Sequence, residues 1–452
     1  MNKQLYIFLV VILIFSISVV SCAPQKVAQP ETAAKEEVKA EEKEDVAEPV
    51  TIKWITWDVG MGSADDIVAQ IIQPFEDKNP NIKVEFELTT WDLYWEKLQT
   101  SIGAGNPPDV FTQSVAFANE YAAKGFTLNL QPYFDRDLNP DDYFMDVAEG
   151  RTLRYPDASG DLYAIPFRWV DAALLYNKTL FDAEGLAYPD DTWTLDDYLE
   201  AAKVLTKDVD GDGKIDQWGT MVYNDWIYPD TIIRTFGGKV VSDDYSKCTL
   251  TDPKSIEALQ WIVDLSEVHG VVPPVDVASD PAWVNVGPFA TGKIAMSIQG
   301  AWYFTSFRDS VDFDWDLTFV PSGPAGRFVY GGPDSLAIAK DTKYPEEAWE
   351  FLKYMISEDT SMSAIGMGAV PFNKALANSE AWLEEGKDPA SKKVIFDSAP
   401  YLFGSDFGPG WIEWSASIKI NELAPAFIGE KSVKDAATAA CKGIDQVLSE
   451  WQ

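Results

Sequence analysis

TIKWITWDVGMGSADDIVAQIIQPFEDKNPNIKVEFEL, residues 51–88, is the stretch whose reading decides the fold. Its first seven residues, from Thr51 to Trp57, form a short alternating strand. A glycine-containing loop follows, Val59-Gly60-Met61-Gly62-Ser63, in which Ser63 is placed to cap a helix. That helix is predicted from Ile67, Val68, Ile71, Ile72 and Phe75, which recur at a 3.6-residue period. The breaker Lys78-Asn79-Pro80 ends it, and Ile82 to Leu88 alternates again as a second strand. Strand, helix and strand in this order make a βαβ unit, the building block of an α/β fold.

The same pattern continues outward. A helix is predicted over 94–102, then a Gly-Asn-Pro-Pro turn and the apolar strand Asp109-Val110-Phe111. Ala164-Ile165-Pro166 and Ala172 to Asn177 read as strands on either side of a charged loop. Helices are predicted over 194–206 and 255–269, strands over 313–320 and 328–339, and helices over 346–357, 411–423 and 433–451. Pattern alone does not say which strands share a sheet.

Of the 452 residues, 36 are Lys or Arg and 72 are Asp or Glu, a net charge of −36. That excess repels phosphate backbones, so no nucleic-acid partner is expected. One His, His269, and three Cys nearly exclude Cys/His zinc sites, Cys–His nucleophiles and serine triads built on any other histidine. Aromatic side chains are abundant instead, with 17 Trp, 18 Tyr and 24 Phe.

Lys3 precedes an apolar run from Leu5 to Val20, long enough for a signal segment and short for a membrane span. Val19-Val20-Ser21-Cys22 closes it and resembles the lipobox of bacterial lipoproteins, which marks residues 1–21 as a signal peptide and Cys22 as the acylated first residue of the mature chain. Residues 22–50 carry no aromatic side chain and are rich in Ala, Glu, Lys and Pro, so they read as a lipid-anchored tether. Cys248 and Cys441 stand in unrelated contexts, and whether they pair stays open at this level.

Asp208-Val209-Asp210-Gly211-Asp212-Gly213-Lys214-Ile215-Asp216 places carboxylates at positions 1, 3, 5 and 9, glycine at 6 and a backbone carbonyl, that of Lys214, at 7. Hard oxygen ligands at this spacing match the first nine positions of an EF-hand calcium loop. Position 12 departs from it, with Gly219 in place of the bidentate Glu. The two readings are a structural Ca²⁺ held by Asp208, Asp210, Asp212, Lys214 and Asp216, or a solvated Asp/Gly turn. No other cofactor is required.

Several segments together resemble extracellular solute-binding protein family 1 of bacterial ABC importers, the group that includes maltose-type sugar-binding proteins. They are the Ile55-Thr56-Trp57 strand, residues 97–110 (KLQTSIGAGNPPDV), 174–181 (LLYNKTLF), 289–296 (FATGKIAM), Gly300-Ala301-Trp302, Gly331-Gly332 before Ser335, and 345–352 (PEEAWEFL). The resemblance spans the body of the chain. It implies a periplasmic-binding-protein-like α/β fold, two α/β lobes joined by a hinge with a ligand cleft between them. The N-terminal lobe would comprise 51–165 and 311–340, and the C-terminal lobe 166–310 and 341–452, with the first crossing near Ile165-Pro166-Phe167. The implied role is a monomeric, extracytoplasmic, lipid-anchored receptor that delivers a carbohydrate to ABC permease subunits and is no enzyme.

Sugars present hydroxyls to carboxylate, amide and guanidinium groups and C–H faces to aromatic rings. Trp57 and Asp58 end the first strand, where open α/β sheets place ligands, and Gln113 and Ser114 follow the third in the same manner. Trp91, Trp226, Tyr228, Trp411 and Glu413 are further candidates, each with packing or solvent exposure as the competing reading. Arg168 and Asp171 flank the expected crossing and bond either a ligand or each other. Asp334 would reach the cleft from the N-terminal lobe, and Trp302 matches the family position where a ring commonly lies under the sugar. Two alternatives stand beside this reading: a receptor for a polyamine or peptide, and a glycoside hydrolase using paired carboxylates.

Overall fold

The computed structural model describes residues 49–450 apart from 59–61, 146–152, 156–158, 226, 285–286, 361–364, 367, 404–407 and 409. The signal segment, Cys22 and most of the tether therefore lie outside the described residues, as does Trp226.

The opening βαβ unit forms as its pattern predicts. Strand β1 (Val50–Trp57) pairs in parallel with β2 (Ile82–Thr89) over eight residues, from Val50 opposite Ile82 to Trp57 opposite Thr89. Between them the chain is helical through Ala64–Ile67, a π-helical stretch Val68–Ile72, and Gln73–Lys78. Ser63 caps it: its hydroxyl accepts from the Asp66 N–H, and the Asp66 carboxylate accepts from the Ser63 N–H, a reciprocal capping box.

Strand β3 (Val110–Ser114) pairs parallel to β1, and the long β4 (Ile165–Asn177) crosses the middle of the molecule. Strands β5 (Trp218–Thr220), β6 (Ile294–Gly300), β7 (Trp315–Thr318) and β8 (Val329–Ile338) complete one continuous path in the order β2-β1-β3-β8-β4-β6-β5, with β7 also on β4. Strand β4 changes partner midway. Residues up to Asp171 bond to β8, whereas Ala172–Tyr176 bond to β6 and Leu174–Asn177 to β7. The path thus consists of two half-sheets that share one strand.

This moves the boundaries expected from sequence. The change of partner falls between Asp171 and Ala172, not at Ile165–Phe167, because β8 holds the first half of β4 by antiparallel bonds. Strand β7, beyond residue 310, still belongs to the second half-sheet. Helix α1 (Pro345–Met355), expected in the C-terminal lobe, packs on the first half-sheet: the Phe351 ring lies 5.2 Å from Trp54 and 5.1 Å from Phe75. Each fully buried phenylalanine in that contact contributes about 1.5–3 kcal/mol.

The last helix, α2 (Val433–Ser449), buries Val433, Ala436, Ala437, Ala440, Cys441, Ile444, Val447 and Leu448 along one stripe. On that stripe Cys441 forms a disulfide with Cys248, so the two cysteines left open by the sequence are paired. Among the described residues no helix is long and apolar enough to cross a membrane.

Candidate functional site

A cavity of about 350 Å³ opens between the two half-sheets. From the first half-sheet come Trp57 and Asp58 at the end of β1, Trp91 at the start of the following helix, and Ser114 at the end of β3. The shared strand β4 contributes Arg168 and Val170, and its neighbour β8 contributes Tyr330, Gly331, Gly332 and Asp334. Trp302 and Tyr303, just past the end of β6, and Trp411 supply the opposite wall.

The rings brace one another. Trp57 meets Trp91 edge to face at 4.9 Å and Tyr94 at 5.0 Å, and Trp95 carries the cluster on to Phe117. Phe117 in turn lies 6.2 Å from Trp411, edge to face. Trp57 and Trp411 are consequently only 4% and 5% exposed, rigid faces at the cavity edge that lose little freedom on binding. Tyr303 projects further, at 46% exposure.

Glycine makes room for this wall. A Cβ on Gly300 would stand 2.2–2.4 Å from the six-membered ring of Trp302, and one on Gly331 would stand 2.5 Å from the Val170 carbonyl oxygen. Gly300 has φ −68° and ψ 140°, a backbone any residue adopts, so here glycine supplies space and not conformational freedom.

At the base of the cavity Arg168 is 1% exposed. Its Nε and Nη2 donate to Asp334 Oδ2 at 3.0 and 2.9 Å, and its Nη1 donates to the Ile365 carbonyl at 2.6 Å. Burial lowers the proton affinity of the guanidinium and raises that of the Asp334 carboxyl, and the attraction of each for the other opposes both shifts. The partner of Arg168 is thus Asp334, across the β4–β8 ladder, and not Asp171.

Seven of the expected residues meet here: Trp57, Asp58, Trp91, Arg168, Trp302, Asp334 and Trp411. Four others do not line the cavity. Gln113 and Asp171 each stand one residue from a lining neighbour, Ser114 and Val170, and strand alternation turns them to the opposite face. Both are fully buried, with the Gln113 amide and the Asp171 carboxylate unpartnered among the described residues. Burial pushes the Asp171 carboxyl well above the usual range. Tyr228 is fully buried in the first turn of the helix Tyr228–Thr235. Glu413 is exposed on the π-helical segment Ile412–Lys419 and is not among the residues that line the cavity.

Of the pair placed at the end of the third strand, Ser114 lines the cavity and Gln113 does not, whereas Val170, Tyr303 and Tyr330 were not expected as lining residues. A period of two from Arg168 reaches Val170, and from Asp334 it reaches Tyr330, so the signal was present once the strand faces were known.

In the Asp208–Asp216 loop, one carboxylate oxygen each from Asp208, Asp210 and Asp212 lies within 4.8 Å of the others. The Asp208 carboxylate accepts the N–H groups of Gly211, Asp212 and Gly213. Asp216 stands outside that trio, its Oδ1 accepting the Val209 N–H at 2.9 Å. The twelfth position has no room for a glutamate: a Cβ on Gly219 would lie 2.1 Å from the Ala202 carbonyl oxygen. The carboxylate chemistry fits a hard divalent cation, with a smaller protein ligand set than a full EF-hand loop.

The sequence matches the bacterial extracellular solute-binding proteins over residues 33–362. It is 25% identical to a putative binding protein of Brucella abortus, over 82% of this chain and 88% of that one. It is also 25% identical to the diacetylchitobiose binding protein of Streptomyces coelicolor, over 88% and 90%. Among solved structures, the Listeria monocytogenes ABC substrate-binding protein in complex with cycloalternan superposes with a TM-score of 0.76 at 23% identity, covering 89% of this chain and all of that one.

Proposed function

The chain belongs to the bacterial extracellular solute-binding protein family, and on that premise we propose that it captures a mono- or oligosaccharide for an ABC importer and delivers it to the permease. The observation that carries this reading is the cavity between the half-sheets. Rigid indole faces at Trp57, Trp91, Trp302 and Trp411 suit the C–H faces of a sugar, and Asp58, Ser114 and the Arg168–Asp334 pair suit its hydroxyls. The carbohydrates named for the Streptomyces and Listeria proteins support the same class of ligand.

In this reading the two half-sheets close on the ligand about the shared strand β4, and the closed form is what the permease senses. The protein is a receptor and not an enzyme, so incubation with oligosaccharides returns them unchanged. Cys22 is acylated and residues 23–50 tether the folded body outside the cytoplasm, where a disulfide is stable. The Asp208–Asp216 loop holds a structural Ca²⁺.

A thermal-shift panel of saccharides, polyamines and peptides tests the proposal. A ligand at 100 times its Kd stabilises by about 2.7 kcal/mol. Stabilisation by a saccharide is the expected outcome. Stabilisation by a polyamine or peptide, with every saccharide silent, refutes it.

A further inference from the structure

The two walls of the cavity touch. The helical segment that follows Trp411 belongs with the second half-sheet: Asn224, in the loop after β5, donates from its Nδ2 to the Ile420 carbonyl at 3.1 Å, and Asp230 pairs with the buried Lys419. Phe117 stands on the other side, in the helix Val115–Ala123 that follows β3, its ring 3.8 Å from that of Trp95. The edge-to-face contact of Phe117 with Trp411, at 6.2 Å, therefore reaches from one wall to the other, and both rings are buried. Phe117 closely follows Ser114, which lines the cavity, as Trp411 does itself. Solvent reaches the lining elsewhere, at Asp58 and at the half-exposed Tyr303.

We infer that the cavity is a blind cleft that takes a saccharide end-on, with one terminal ring against the Phe117–Trp411 contact, and that Phe117, outside the lining, is the residue that sets this stop. This rests on the carbohydrate reading and sharpens it from sugars in general to the ends of saccharide chains. A ring inside a chain carries a glycosidic bond on each side and needs an exit at both ends of its site, whereas a terminal ring needs one. The stop is firm because Phe117 is held from behind by Trp95, and close-packed rings do not yield cheaply to a substituent forced against them. Beyond the buried end the chain leaves toward solvent past Tyr303.

Calorimetric titration with malto-, cello- and chito-oligosaccharides identifies the series that binds. The test compares its tightest member with two derivatives that each add one phenyl ring, a p-nitrophenyl glycoside blocked at the reducing end and a 4,6-O-benzylidene acetal blocked at the non-reducing end. One derivative is expected to bind about tenfold or more weakly than the unmodified saccharide, and the other to fall short of that loss. Two derivatives both above that tenfold loss, or both below it, overturn the blind cleft and leave the carbohydrate reading intact, and this comparison needs no variant. In Phe117→Ala, or in the better-filled Phe117→Leu if the first does not fold, the penalty on the blocked derivative is expected to shrink at least threefold. A folded variant, shown by its melting curve, that binds the unmodified saccharide and keeps the full penalty overturns the assignment of the stop to Phe117. Silence of all three series overturns the carbohydrate reading and this inference with it.

Discussion

Replacing Gly300 with alanine should abolish much of the binding without touching the ligand. Alanine adopts the Gly300 backbone without strain, so the strand β6 is kept. The added methyl carbon, however, would sit 2.2–2.4 Å from the Trp302 ring, against the 3.4–4 Å of ordinary contact, so the ring must move by more than an ångström. A displaced ring forfeits its stacking on a sugar face, about 0.5–1.5 kcal/mol, together with part of the apolar area it buries. The sum is about 2 kcal/mol, or roughly thirtyfold in Kd. Isothermal titration with the best saccharide of the panel reads the loss directly. A cycle of Gly300→Ala, Trp302→Ala and the double variant then tests its route. If glycine acts only by housing the ring, the double variant binds no worse than Trp302→Ala alone. Unchanged affinity in Gly300→Ala, or additive losses in the double variant, refutes the argument.

Reducing the Cys248–Cys441 bridge, or replacing both residues with serine, should lower stability by up to about 5 kcal/mol, because the bond closes a 193-residue loop. Urea midpoints with and without reductant measure it, and coincident midpoints count against the estimate. Burial raises the Asp225 carboxyl to about 6, above the 3.8 of an unperturbed aspartate. Its folded form therefore binds the proton more tightly than the unfolded chain, so the contribution to stability is full below about 3.8 and is lost as pH rises through 6. Asp225→Asn keeps the Oδ1 that accepts from Ile227 and Tyr228, and should stabilise the protein by about 1–3 kcal/mol at pH 7.5 with no gain at pH 3.5. Equal midpoint shifts at both pH values would contradict that. Millimolar calcium should raise the melting temperature and a chelator reverse it. Asp208→Asn together with Asp210→Asn should remove the response while leaving saccharide binding unchanged, and a calcium response that survives both substitutions places the ion elsewhere.

The local half of the fold was legible because its determinants are local. Alternation placed β1 and β2, and Ser63 with Asp66 announced the cap between them. The resemblance supplied the two-lobed plan, and seven expected residues converge on one cavity. What stayed hidden depends on partners distant in sequence. Gly331 and Asp334 meet β4 from 160 or more residues away, which is why the crossing was expected several residues too early. Gln113 and Asp171 illustrate a sharper limit. Their residue types suited a sugar, but a strand turns successive side chains to opposite faces, and nothing in the local sequence said which face the cavity would take. The steric exclusion at Gly219 likewise needs Ala202, on a preceding helix, to be seen.

Strand β4 gives hydrogen bonds to β8 in its first half and to β6 and β7 in its second. Melting either half-sheet therefore strips ladder bonds from a strand on which the other half depends. A protein divided by an open cavity would ordinarily be expected to unfold in two steps, one for each side. Here the shared strand couples them into a single cooperative unit, so calorimetry should record one endotherm whose calorimetric and van't Hoff enthalpies agree. By the same coupling, neither side expressed alone would hold its sheet together: cut between Asp171 and Ala172, each would expose one broken end of the same strand.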